Sequence, residues 1–223
     1  MIRDEIKEQQ KKLGEKSRKE KLQYFWYYYK IHVIVGIAVI FALFHLIPAM
    51  IQGNRENSIY VALINSLVYD DTETTLVSDY VASRDIDTQA FPPRLDYAMR
   101  IKNPPTDSFS VAYTQQFTAE MELGNIDVII SDQDMIDRYA SMNAYADLTE
   151  ALPKDLLDSL SDRLYYANVE GVGRIPVALY AKDVRRIKED TLFDDSVTPM
   201  VAVAYNSHRI ETAADFVHYL YFE

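Results

Sequence analysis

Between Lys30 and Arg55 the chain carries no charged residue, and from Ile31 to Ile51 it reads IHVIVGIAVIFALFHLIPAMI. At about 1.5 Å of rise per residue, a helix of this run spans the ~30 Å hydrocarbon core of a bilayer. The run predicts one transmembrane helix over 31–51. It divides the chain into a basic tail (1–30), the span, a linker (52–57) and one α/β unit (58–223). A removed signal peptide fits less well: the apolar run is long and no A-x-A site follows it. The segment therefore reads as an uncleaved anchor.

Charge is distributed around that span. Residues 1–30 hold nine Lys/Arg and five Asp/Glu, a balance of +4, so of the chain's net −11 the remainder carries −15. A basic flank before the span and an acidic unit after it follow the positive-inside rule and predict a cytoplasmic N-terminus with the C-terminal unit outside the cell. An acidic unit does not neutralise phosphates, which excludes nucleic acid as a partner. The chain has no cysteine. An exported unit without disulfides fits a bacterial setting, and thiolate metal sites and cysteine nucleophiles are excluded.

The tail reads as a polar helix over 2–22, with Glu8–Lys12 and Glu15–Lys19 as i,i+4 pairs. The YFWYYYK stretch, Tyr24 to Lys30, reads as an aromatic belt at the headgroup layer. His32 and His45 fall within the apolar run. They read as interfacial residues, because a solitary helix supplies no partner for a proton path.

Beyond the linker the pattern alternates strand and helix. SIYVALIN (58–65), RLDYAMRIK (94–102), IDVII (126–130), RIPVALYA (174–181) and MVAVAYN (200–206) read as strands. The second alternates with period two, which implies a half-exposed strand. Pro176 places the fourth at a sheet edge. Helices are expected over 76–83, 108–123, 133–141, 152–160 and 211–221, with Asp107 or Ser108 and Asp132 as N-caps and Gly124 as a stop. Buried strands alternating with helices imply a parallel or mixed sheet covered on both faces.

The stretch GNIDVIISDQDMIDRYASMNAYADLTEALPKDLLDSL resembles the extracellular solute-binding proteins of ABC transporters. So does the tail VAVAYNSHRIETAADFVHYLY, which is similar to that family's return strand and following helix. The resemblance implies a periplasmic-binding-protein-like α/β sheet of type II. Members close two lobes on a ligand. Here only about 19 residues, Lys182 to Met200, separate the last two expected strands, which leaves no chain for a second lobe. The expected architecture is a single lobe on a membrane stalk. Half a clamp does not enclose a small solute, since pockets bury most of their ligand's surface.

Chemistry-bearing motifs are sparse. The four histidines are scattered, with His208 in a turn and His218 on the last helix, and no metal or cofactor is expected. Asp70-Asp71 and Asp194-Asp195 lack the spacing of a calcium loop and read as turns. Gly171-Val172-Gly173 lacks the context of a dinucleotide site and reads as a hairpin or loop. Tyr113, Tyr139 and Tyr219 read as packed on helix faces, and Tyr165-Tyr166, placed in a loop, as an interface candidate. In open α/β sheets ligands bind beyond the carboxyl ends of strands. Those positions are Asn65, Ser66, Ser131, Asp132, Asn206 and Ser207.

The sequence thus predicts a membrane-anchored, extracytoplasmic binding or interaction module without catalysis. Its partners are the lipid bilayer and an envelope or transporter protein. A second reading is a solute receptor that completes its cleft by dimerising or with a partner chain. A third is a hydrolase with an unrecognised site.

Overall fold

The computed structural model describes residues 18–53, 55–70 and 73–223. The chain divides into two compact units at Arg55/Glu56. The first contains one continuous helix, α1 (Arg18–Gly53). It places the stretch 24–30 and the apolar run on one helix, and it continues through Gln52 and Gly53, where the sequence suggests linker. Phe25 stacks on Tyr29 at 5.1 Å, and His32 meets Tyr29 edge-on at 6.1 Å. The polar helix expected over 2–22 lies outside the described residues up to position 17. The side chains of His45 and of residues 47–54 also lie outside them, so the expectation for His45 and for the far end of the 31–51 run falls there. Among the described residues no helix is long and apolar enough to cross a membrane.

The second unit is a six-stranded mixed sheet. Its strands are β1 (Tyr60–Leu63), β2 (Arg94–Asp96), β3 (Val128–Asp132), β4 (Leu164–Val169), β5 (Gly173–Tyr180) and β6 (Pro199–Val203), in the order β2-β1-β3-β6-β5-β4. β1 runs parallel to β2 and β3, whereas β6 is antiparallel to both β3 and β5. The final strand thus returns into the middle of the sheet. Side chains alternate between two cores, as a period of two requires. Val61, Leu63, Val128, Ile130, Val201 and Val203 face one core. Tyr60, Ala62, Ile129, Met200 and Ala202 face the other.

Helices cover both faces. The first core packs against α2 (Leu76–Ser83), α5 (Leu148–Ala151), α6 (Lys154–Ser159), α7 (Arg185–Glu189) and α8 (Ile210–Phe222). The second packs against α3 (Ser108–Glu122) and α4 (Gln133–Ala140). Caps explain the helix starts. The side chains of Asp107 and Asp132 each accept an N–H at 2.8 Å, from Ser110 and Met135, which satisfies one orphan donor per helix. Leu123 ends α3, and Gly124 follows with φ +67.

Three expectations are corrected. The strand read over 94–102 pairs only from Arg94 to Asp96. Asp96 Oδ1 then accepts the Ala98 N–H at 3.2 Å, and the alternation changes sides: Leu95 and Tyr97 pack on the first core, Met99 and Ile101 in the second. Pro176 does not mark an edge strand, since β5 lies between β4 and β6. It sits beside a bulge, where Tyr165 pairs Ala178 but Tyr166 pairs Pro176, so Val177 is the extra residue. Val177 and Ala178 consequently turn to the same core. Finally, Tyr165 and Tyr166 are not in a loop but on β4, one of the two edge strands.

Candidate functional site

The polar residues expected to gather at the strand ends separate into two groups. β1 and β3 end together, so Asn65, Ser66, Ser131 and Asp132 share one end of the sheet. β6 runs the other way and delivers Asn206 and Ser207 to the opposite end. The six positions therefore do not form one site.

At the first end, Asn65 adopts φ +59, a left-handed conformation that asparagine tolerates. Its amide acts as a surrogate strand. Nδ2 donates to the Ile101 carbonyl at 3.1 Å, and Oδ1 accepts the Ile101 N–H at 2.8 Å. Nδ2 also donates to Asp132 Oδ2 at 2.7 Å. The other Asp132 oxygen caps α4, so both carboxylate oxygens are engaged within the fold. The Ser131 hydroxyl is buried and reaches the Asp132 carbonyl at 3.3 Å. The Ser66 hydroxyl is buried with no hydrogen-bond partner. This end is held shut by its own polar groups.

The opposite end centres on a residue that the strand pattern hides. Asp127, just before β3, has a fully buried side chain. Its Oδ1 accepts the Ser207 hydroxyl at 2.6 Å. Its Oδ2 accepts the Tyr60 N–H at 2.7 Å and Arg209 Nε at 2.9 Å. Burial pushes the Asp127 carboxyl up, while Ser207, the Tyr60 N–H and Arg209 oppose that rise. Arg209 also donates to the Asn125 carbonyl at 2.6 Å, and Asn206 Nδ2 to the Met121 carbonyl at 2.7 Å. Asn206 and Ser207 are thus bound into the scaffold. The signal for this network was an acidic residue inside the apolar run IDVII, since a buried charge requires a partner.

Four of the cavities that open on the unit lie near the two ends of β6. One, of about 610 Å³, lies near the start of β6 between Lys182, Lys188, Phe193 and Asp194. Lys182 Nζ donates to the Asp195 carbonyl at 3.0 Å, and Asp183 is paired with Arg163. The other three, of about 400, 600 and 340 Å³, adjoin the C-terminal end of β6 and helices α3 to α6 and α8. Asn65, Ser66, Ser131 and Asp132 line none of these four.

Among the described residues no group of His, Asp and Glu is arranged to hold a metal ion. Asp194 closes a turn, accepting the Ser196 N–H and hydroxyl, and Asp71 lies outside the described residues. Tyr139 and Tyr219 are buried and Tyr113 packs against the second core, as helix-face residues do. On β4, Tyr165 donates to Asp137 and is pushed up to about 12, first by burial and then by that carboxylate, whereas Tyr166 is exposed. No family model, no curated protein and no solved structure matches the chain.

Proposed function

We propose that the chain is a membrane-anchored, extracytoplasmic interaction module related to one lobe of the solute-binding proteins, and that it performs no catalysis. The observation that carries this reading is the strand end closed by its own residues. Asn65 and Asp132 spend their polar atoms on each other and on the backbone, so no converging set of free donors and acceptors awaits a solute there. The return of β6 into the middle of the sheet, followed by α8, supports the resemblance to that family's return strand and helix.

Anchoring is supported by α1. Ile31, Ile34, Val35, Ile37, Val39, Ile40, Phe41, Phe44 and Leu46 are all more than half exposed, and at 100° per residue they fall on both halves of the rod. A helix that is apolar all round calls for an apolar solvent. The basic tail would lie in the cytoplasm and the acidic unit outside the cell.

Because the chain lacks cysteine, accessibility can be read from single substitutions. Lys154→Cys should react with a membrane-impermeant maleimide on intact cells, and Lys19→Cys only after lysis. Labelling of both only after lysis sinks the topology. The solute-receptor alternative predicts that sugar or peptide libraries raise the unfolding temperature of the full chain in mild detergent. The interaction reading predicts a co-purifying protein and no such shift.

A further inference from the structure

We infer that the three cavities near the C-terminal end of β6 form one docking trench for a basic amphipathic segment of a partner protein. The inference rests on the interaction-module reading and names its surface. Asn143 and Tyr205 line both the 400 and the 340 Å³ cavities, and Glu150, Ala151 and Ile210 line both the 400 and the 600 Å³ cavities. Shared walls make the three neighbours, running around this end of the sheet from the second core to the first.

The floor is apolar: Phe117 and Met121 at one end, Tyr145 and Ile175 in the middle, Leu152 and Leu156 at the other. Three large apolar side chains remain uncovered on its walls, Met142 at 65% exposure, Val172 at 59% and Tyr205 at 47%. A floor of this kind takes apolar anchors spaced along a helix or strand.

Charge on the walls selects the partner's sign. Glu122, Asp147, Glu150, Asp155, Glu211 and Asp215 line the trench, and no Lys or Arg does. Asp215 is already bound by Arg84 and Tyr80, and Asp147 caps Thr149. Glu150, Asp155 and Glu211 are exposed and unbridged by any described cation. Each also lies in the first turn of its helix, where the dipole favours an acid. That accounts for one residue per helix but not for the exclusion of every Lys and Arg from three adjoining cavities. An occupant with leucine-like anchors flanked by Lys or Arg matches both floor and walls.

The test uses the full chain in a zwitterionic detergent and three synthetic peptides. These are an amphipathic Leu/Lys helix, its Leu/Glu counterpart and a Ser/Lys peptide of equal charge without anchors. Anisotropy should show binding of the Leu/Lys peptide alone, weakening as salt rises. The Glu150→Gln/Glu211→Gln variant keeps helix-compatible side chains and should weaken that binding by about tenfold. Asp195→Gln, before β6 at the opposite end of the sheet, should not. Equal binding of the Leu/Glu peptide, equal binding of the Ser/Lys peptide, or an unaffected double variant overturns the inference. If cross-linking in cells captures a partner through residues outside the trench, the trench fails while the interaction module stands. If the trench variants behave as expected but no protein cross-links to the chain in cells, the module reading fails while the trench chemistry stands.

Discussion

Arg209 Nε lies 2.9 Å from Asp127 Oδ2, and the two join the turn after β6 to the residue that precedes β3. The Asp127 side chain is fully buried and that of Arg209 is 15% exposed. The pair therefore behaves as a buried bridge. Its net contribution is small, because desolvation offsets attraction, but removing one partner strands a charge.

Arg209→Leu should accordingly destabilise the second unit by about 3–5 kcal/mol. The loss should depend on pH. Burial already raises the Asp127 carboxyl, and without Arg209 it rises further. A folded-state value above the unfolded one means that stability falls as pH rises between the two. The variant should thus recover part of its loss on acidification toward pH ~4. Adding Asp127→Asn should recover part of it at neutral pH. Urea denaturation of the full chain in mild detergent checks this. A loss below about 1 kcal/mol would place the bridge among exposed pairs and refute the account.

Asn65 carries a different load, holding the segment after β2 where the ladder has stopped. Asn65→Ala loses three side-chain hydrogen bonds and forces alanine to φ +59. The expected cost is about 2–4 kcal/mol. Asn65→Gly removes the backbone strain but not the lost bonds, so it should fall between wild type and alanine. Amide hydrogen exchange at Ile101 should accelerate in both. If Ile101 exchange is unchanged, the amide is not acting as a surrogate strand.

Much of this fold was legible because burial leaves a local signature. The helix over 76–83 buries Leu76, Val77, Tyr80 and Val81, the face its spacing indicated. β1 and β3 are apolar nearly end to end because both their faces are covered. What failed was non-local. β4 reads LYYANV, and its inward face, Tyr165, Ala167 and Val169, is fully buried only at Val169, so the edge strand carries no strong apolar run to mark it. The direction of β6 is not written in MVAVAYN, so the sequence does not say that Asn206 and Ser207 lie at the end of the sheet opposite Asn65 and Asp132. Pro176 obeys a rule about missing N–H groups, but an inner strand meets that rule here: β5 pairs β6 only at Leu179 and Tyr180, and Pro176 lies beyond that ladder, beside the bulge toward β4. The site suffered most, because it depends on which strand ends coincide.

Acid sensitivity follows from the clamp between α2 and α8. Arg84 Nε meets Asp215 Oδ2 at 2.8 Å, and its Nη2 meets Glu223 Oε1 at 2.9 Å. The Arg84 hydrogen bonds hold both carboxyls below their ordinary values. Groups lowered in the folded state stabilise it above their unfolded pKa, about 4 for carboxyls. That contribution disappears as pH falls through the folded values. The full chain should therefore lose stability steeply below pH ~4, and Arg84→Met should flatten that slope. An unchanged slope in thermal melts across that range would assign the acid response elsewhere, with Arg163–Asp183 the next pair to test.

Two glycines separate backbone strain from close approach. Gly124 (φ +67) and Gly171 (φ +76) both lie in the left-handed region. At Gly171 an added Cβ would meet nothing within 4 Å. At Gly124 it would lie 2.7 Å from the Asn206 carbonyl oxygen and 2.8 Å from His208 Nε2. The imidazole can rotate away, but the carbonyl belongs to the turn that presents Ser207 and Arg209 to Asp127. Gly171→Ala should cost about 1 kcal/mol, the conformational penalty alone. Gly124→Ala should cost more, by about 1–3 kcal/mol, because the turn must shift and loosen the buried bridge. Combining Gly124→Ala with Arg209→Leu should give less than the sum of the two losses, since both act on one network. Equal costs at the two glycines in urea denaturation, or strict additivity of the pair, would show that the turn after β6 yields without disturbing Asp127.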